Sequence, residues 1–261
     1  MNEKKLYIIK VGGNIIDDAA KLSTFLSSFA ALEGKKILVH GGGKLATKMA
    51  ADLSIPQQMV DGRRVTDAET LKIVTMVYAG LINKQIVASL NALESPSIGL
   101  SGADANCIIA HKRTHPSIDF GFVGDVDLIN TEFMLNLLDK DLNLIIAPIT
   151  QDKSGQLLNT NADTIAQEIA KAMAKDISVT LVYSFEKKGV LMDVNDDNSV
   201  IQTMDRSLFD QLKKDNAIFA GMIPKLDNAF SALETGVKKV IIGDALELNA
   251  LVNGESGTAI C

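Results

Sequence analysis

The chain has 261 residues, of which 47% are hydrophobic and 22% charged, with 19 glycines and 5 prolines, a composition that excludes a mostly disordered or fibrous protein. Lys plus Arg number 26 against 32 Asp plus Glu, and the resulting charge of −6 disfavours long-range attraction to nucleic acid or an anionic membrane. The length suits one large α/β domain or two lobes around a continuous sheet.

Taken in chain order, short apolar runs at 6–11, 37–40, 97–100, 144–149, 179–183 and 240–242 have the continuous hydrophobicity of strands buried on both faces of a parallel sheet. Helical patterns lie between them. One covers 45–53; a long one runs from Thr66 to about Leu93, with Thr66 and Glu69 at the spacing of a capping box; others cover 162–175 and 226–233. Asp244 and Glu247 repeat a similar start near the C-terminus. Two stretches read as antiparallel hairpins: 107–110 with 120–126 around His115-Pro116-Ser117, and 190–194 with 200–203 around Asn195-Asp196-Asp197-Asn198. The alternation specifies an open α/β/α sandwich, and a lobe boundary is expected near the helix at 162–175.

Cys107 and Cys261 are too few for a disulfide framework or a paired-cysteine metal site, and the three histidines have no metal-binding spacing, so a reducing cytoplasm and no protein-ligated zinc are expected. The N-terminus shows no apolar signal core, and no apolar run approaches the roughly 20 residues of a membrane span.

Several segments carry residues suited to anion chemistry. Lys10-Val11-Gly12-Gly13-Asn14 sets a lysine at a strand end before paired glycines, which let backbone N–H groups approach a phosphate; a strand-end lysine before an ordinary turn reads equally well from this segment alone. His40-Gly41-Gly42-Gly43-Lys44 joins a strand to a helix and points to phosphate or carboxylate binding at helix amides, since three glycines exceed what a turn needs. It is neither a Walker A loop nor GxGxxG. Asp61-Gly62-Arg63-Arg64-Val65-Thr66 offers an arginine fork for a carboxylate, a weak signal in an exposed loop. Asn159-Thr160-Asn161-Ala162-Asp163 fails the calcium-loop pattern at its sixth and twelfth positions and reads as an Asx-rich helix cap, with polar side chains available to a cleft. Gly221-Met222-Ile223-Pro224-Lys225 supplies a second candidate phosphate lysine.

In order and spacing, these segments, with Gly121-Phe122-Val123-Gly124 and Gly257-Thr258-Ala259-Ile260, resemble the amino acid kinase family, more closely its N-acetylglutamate kinases of arginine biosynthesis, along almost the whole chain. The resemblance implies an α/β/α sandwich around a mainly parallel, roughly eight-stranded sheet. It also implies an N-terminal lobe (1–170) for acylglutamate binding and dimerisation and a C-terminal lobe (171–261) for ATP. By the same resemblance Lys10 and Lys225 stabilise the transferring phosphoryl group and Asp163 organises them. Gly42, Gly43, Arg64 and Asn159 match substrate-binding positions; Gly12, Gly13, Asn161, Ser184, Phe185 and Gly189 are expected at the nucleotide. Two departures stand out. The segment Tyr183-Ser184-Phe185-Glu186-Lys187-Lys188-Gly189 is longer than the family's nucleotide turn and lacks its Asp, and Ala220 replaces a Gly or Asp.

The implied reaction is ATP-dependent phosphorylation of the γ-carboxylate of N-acetyl-L-glutamate. A carboxylate with a pKa of about 4.3 is already ionised at neutral pH, so no general base is needed and the obstacle is charge repulsion. Two lysines, Gly-loop amides and Mg²⁺ held mainly by the nucleotide phosphates address that obstacle. Alternatives are a kinase for a larger substrate such as N-succinyl-L-glutamate, or a non-catalytic amino-acid or nucleotide sensor. An aspartokinase would carry a C-terminal regulatory extension, a nucleoside-monophosphate kinase would not call for the Asn-rich segment, and carbamate kinase fits Arg64 and Asn159 poorly. Two apolar stripes on the long helix, Leu71, Val74, Tyr78, Leu81 and Ile73, Met76, Val77, Gly80, together with the resemblance, lead to the expectation of a homodimer. Only nine residues precede Lys10, leaving none for the N-terminal helix that joins dimers of arginine-inhibited relatives, so insensitivity to arginine is expected.

Overall fold

The protein is represented by a computed structural model that describes residues 5–60, 63–193, 195–215, 218 and 222–261. Its strands are β1 (Lys5–Val11), β2 (Lys35–His40), β3 (Gln58–Val60), β4 (Arg63–Val65), β5 (Ser97–Leu100), β6 (Ile108–Lys112), β7 (Gly124–Ile129), β8 (Asn143–Ile146), β9 (Ile149–Gln151), β10 (Leu157–Asn159), β11 (Ser178–Phe185), β12 (Thr203–Met204), β13 (Lys239–Asp244) and β14 (Thr258–Ile260). Its α-helices are α1 (Gly13–Ile16), α2 (Ala19–Ala31), α3 (Gly43–Asp52), α4 (Ala68–Val74), α5 (Asn83–Ala92), α6 (Thr131–Leu138), α7 (Ala162–Met173), α8 (Arg206–Lys214), α9 (Ile223–Glu234) and α10 (Leu248–Asn253). An eight-stranded sheet runs in the order β12-β14-β13-β11-β1-β2-β8-β5; β1 with β11, β11 with β13, β12 with β14 and β5 with β8 pair in parallel, and β13 with β14 antiparallel. This is the expected α/β architecture. β8 is buried at every position and apolar from Leu144 to Ile146, as a strand covered on both faces must be.

The chain forms two compact units, Met1–Ile37 with Ala166–Cys261, and Leu38–Ile165. A single cut at 170 does not describe them. The second crossing falls close to that point, but the first strand and the helices after it belong with the C-terminal residues, because β1 pairs in parallel with β11 from Lys5↔Ser178 to Val11↔Ser184.

In the first unit, Asp18 caps α2 by accepting from the N–H groups of Ala20 and Lys21. At the other end Lys36, buried on β2, donates its ammonium protons to the carbonyls of Phe29, Ala30 and Leu32, the acceptors a helix C-terminus leaves unpaired. The hairpin expected at 190–203 is reduced to one antiparallel bridge, Leu191↔Val200, with Val194 outside the described residues; Thr203 instead begins β12, which pairs with β14.

In the second unit, the apolar run at 144–149 proves to be two strands. Pro148, with no N–H to give, separates β8 from β9, and β9 joins a four-stranded sheet ordered β10-β9-β6-β7. The hairpin of β6 and β7 is present but its second strand starts at Gly124. Residues 120–122 pair elsewhere: the Thr66 N–H donates to the Phe120 carbonyl and the Phe122 N–H to the Thr66 carbonyl.

The long helix spans Ala68–Ala92, and its cap is Asp67, which accepts from the Thr70 N–H; the Thr66–Glu69 capping box does not form because the Thr66 hydroxyl bonds the Arg64 carbonyl. Its middle, Thr75–Ile82, is a π-helix, and the wider turn shifts the phase of the side chains. Neither expected stripe therefore stays on one face: Leu71, Ile73, Val74, Val77 and Tyr78 are all buried, while Met76 and Leu81 are 55% and 40% exposed. By length and composition this helix is apolar enough to cross a membrane, contrary to the expectation from the sequence, yet Ile82, Ile86 and Leu90 continue its buried side into the unit's core.

Gly121 shows how tightly this unit is closed. Its φ is +70°, and a Cβ there would overlap the Thr66 carbonyl oxygen. Gly121→Ala is expected to lower the unfolding free energy by about 3 kcal/mol, since both backbone strain and a backbone clash must be relieved; chemical denaturation measures it.

Candidate active site

The candidate positions divide between the two units. The first holds Lys10, Gly12, Gly13, Ser184, Phe185, Gly189 and Lys225; the second holds Gly42, Gly43, Arg64, Asn159, Asn161 and Asp163.

In the first unit the parallel register sets Lys10 beside Tyr183 and Val11 beside Ser184. The Ser184 hydroxyl donates to the Lys10 carbonyl at 2.9 Å, and the Gly12 N–H donates to the Ser184 carbonyl at 3.0 Å. The backbone that carries Lys10 is thus fixed from both directions at the carboxyl end of two parallel strands, where ligands of open α/β sheets bind. A Cβ on Gly12 would stand 3.4 Å from Phe185 Cβ, closer than most such contacts. Asn14 donates its side-chain N–H to Glu186, tying the glycine turn to the 183–189 segment, and Lys187 pairs with Asp197 at 3.0 Å. Gly189 is buried; a Cβ would press on Thr258 Oγ1 at 2.7 Å, so its lack of a side chain is required by packing under β14. Lys225 is half-buried in the first turn of α9, one residue after Pro224. Gly221 and Ala220, from the same motif, and Asp61 and Gly62 of the arginine loop, lie outside the described residues.

In the second unit Arg64, only 8% exposed, sits on β4 with its guanidinium turned inward. Nη2 donates to the Gly43 carbonyl and to Thr47 Oγ1, each at 2.9 Å, and Nη1 donates to the Gln57 side-chain oxygen. The alternative of an exposed loop arginine fails for Arg64, because β3 and β4 form a short antiparallel ribbon on which it is buried. Gly42, with φ +146°, precedes α3, and a Cβ on it would collide with Ile82. Asn159, at the end of β10, donates its amide N–H to Thr66 Oγ1 at 3.0 Å. Asn161 Oδ1 accepts from the N–H groups of Asp163 and Thr164, so this residue caps α7 and Asp163 follows in its first turn.

Beneath the glycine loop His40 is fully buried. Its Nδ1 faces the Gly41 carbonyl at 2.9 Å, an atom that only accepts, while Nε2 faces Asn83 Nδ2 at 3.2 Å, which only donates. These partners select the neutral ring with its proton on Nδ1, and burial pushes the imidazole down to about 4. Thr47, Gln57 and Asn83 were not singled out from sequence, and Thr66 only as a helix start. Thr47 follows Gly43 by one helical turn, which is a usable signal; Gln57 and Asn83 reach their partners only through the fold.

A family model described as the amino acid kinase family matches residues 5–244. An acetylglutamate kinase of Parabacteroides distasonis is 54% identical over 246 residues, covering 94% of this chain and 96% of that one. One of Cytophaga hutchinsonii is 54% identical over 251 residues, covering 96% and 95%. The fold also matches an N-acetylglutamate synthase from Neisseria gonorrhoeae with a TM-score of 0.84 at 19% identity, over 99% of this chain and 59% of that one. The chain belongs to the amino acid kinase family.

The buried imidazole has a consequence for stability. Its folded pKa of about 4 lies below the ordinary 6.5, so between those values the unfolded chain binds the extra proton. The His40 contribution is therefore expected to cost roughly 3 kcal/mol as pH falls from 7 to 4, with no further loss below that, and urea titrations of His40→Asn should lack this slope.

Proposed function

We propose that the chain transfers the γ-phosphoryl group of ATP to the γ-carboxylate of N-acetyl-L-glutamate. The observation that carries the reading is Arg64: a buried guanidinium whose hydrogen-bond partners among the described residues are all neutral, in a chain 54% identical to two acetylglutamate kinases. A buried cation without a counter-charge is costly, and a substrate carboxylate relieves that cost.

In this reading Arg64 and Asn159, with the Gly42-Gly43 turn, hold the acylglutamate. A carboxylate oxygen attacks the γ-phosphorus, the bond from that phosphorus to the β,γ-bridging oxygen breaks, and ADP leaves with the bond's electron pair. Lys10 and Lys225 supply the positive charge that the transferring group needs most when it is bonded to neither oxygen, and Asp163 orients them. Ammonium groups and the Gly13 amide suit phosphate oxygens and offer a metal nothing to bind, while Gly12, whose N–H is taken by the Ser184 carbonyl, lets the nucleotide come close to the backbone. Magnesium accordingly belongs on the nucleotide's own oxygens, where it offsets triphosphate charge. Phe185, Gly189, Asn161 and Ser184 complete the nucleotide side, Ser184 by holding the Lys10 backbone.

A reducing cytoplasm fits the thiols: both cysteines are free, and burial pushes Cys107 up to about 12, which keeps it inert. The exposed Met76 and Leu81 on the long helix support a homodimer.

An assay trapping the acyl phosphate as its hydroxamate, run with N-acetyl- and N-succinyl-L-glutamate side by side, is expected to give the higher kcat/KM with the acetyl substrate. In it, Lys10→Ala and Lys225→Ala should each lower kcat by about 10²–10³ with little change in KM, whereas Arg64→Ala chiefly raises the acylglutamate KM. Near-normal kcat in both lysine variants overturns the roles given them. Sedimentation equilibrium is expected to return a dimer, and Met76→Glu with Leu81→Glu to shift it toward monomer.

A further inference from the structure

Thr66 is fully buried immediately after β4; its backbone pairs with the 120–122 segment and its hydroxyl with Arg64 and Asn159. Its N–H donates to the Phe120 carbonyl at 2.9 Å and its own carbonyl accepts from the Phe122 N–H at 2.6 Å. The Phe122 carbonyl in turn accepts from the Asn159 N–H at 2.8 Å, so Thr66, the 120–122 segment and the end of β10 form one continuous ladder. The hydroxyl donates to the Arg64 carbonyl at 3.3 Å and accepts from Asn159 Nδ2 at 3.0 Å. It takes no part in capping the following helix, which Asp67 does.

We infer that Thr66 is a positioning residue for the acylglutamate: its hydroxyl sets the orientation of the Asn159 amide and ties it to the strand that carries Arg64. The reason is a matter of counting protons. A hydroxyl has one, and it goes to a backbone carbonyl, so toward Asn159 the oxygen can only accept. The amide must therefore turn its NH₂ to Thr66, which leaves Oδ1 and the second N–H of a half-buried side chain for a ligand. With a methyl in place of the hydroxyl both amide orientations become equivalent, and Asn159 loses its link to Arg64. The inference rests on the reading that Arg64 and Asn159 bind the acylglutamate.

The test compares Thr66→Val, which keeps the shape and removes the hydroxyl, with Thr66→Ser, which keeps the hydroxyl. Thr66→Val is expected to raise the KM for N-acetyl-L-glutamate about tenfold while leaving the KM for ATP within about twofold, and Thr66→Ser to restore most of the loss. In a background of Asn159→Ala the valine substitution should add little, because the residue through which Thr66 acts is gone. Thr66→Ala gives the same comparison should the valine variant not fold. An unchanged acylglutamate KM, an equal rise in the ATP KM, or full additivity with Asn159→Ala overturns the inference. Arg64→Ala and Asn159→Ala assayed in parallel separate the two levels: if neither raises the acylglutamate KM, the reading of the site falls, and the inference with it; if both do and Thr66→Val does not, only the inference falls.

Discussion

The parallel pairing of β1 with β11 is the constraint on which the rest of the first unit depends. It joins the start of the chain to residues more than 170 positions later, from Lys5↔Ser178 to Val11↔Ser184. Closing so long a loop costs conformational entropy, and the apolar side chains of Leu6, Ile8, Ile9 and Val11, all buried, supply the opposing free energy. The same register determines the end of the strand. Ser184 reaches the Lys10 carbonyl only because Val11 is its partner, and Gly12 continues the ladder with its own N–H. The backbone that carries Lys10 is therefore held from Lys10 to Gly12.

The second unit is organised around buried polar groups held by hydrogen bonds. Arg64 is neutralised by no carboxylate among the described residues, and its fork is instead spread over a backbone carbonyl, a threonine hydroxyl and a glutamine oxygen. His40 is kept neutral beneath the glycine loop by one acceptor and one donor, and Asn83 extends that arrangement to the Ile145 carbonyl. Several glycines exist for these close approaches: a Cβ on Gly99 would overlap Asn83, one on Gly42 would overlap Ile82, and one on Gly121 would overlap Thr66. Gly42 and Gly121, both in the sequence motifs, therefore let neighbouring elements seal the polar groups below, and a Cβ on Gly189 would likewise press on Thr258.

Much of the architecture was legible because a buried parallel strand and an amphipathic helix leave distinct hydrophobic periods. The run at 97–100 is β5 as read, and those at 6–11, 37–40, 179–183 and 240–242 were short of their strands by one to three residues at the ends. The misreadings have physical causes. Pro148 hides a change of sheet inside one apolar run, and the π-turn of Thr75–Ile82 breaks a period that assumes 3.6 residues per turn. Thr66 satisfied the capping spacing, but Asp67 was as good a cap and left the hydroxyl to Arg64 and Asn159.

The sequence by itself determined the α/β class, the strand-to-helix placement of the glycine turns and the set of charged residues, because these follow from local composition and spacing. Only the tertiary structure decided that the first strand belongs with the C-terminal residues, that Arg64 is buried, and that Thr66 links it to Asn159. Those depend on pairings between segments tens to well over a hundred residues apart, and no local pattern encodes which carbonyl a buried guanidinium or hydroxyl will find.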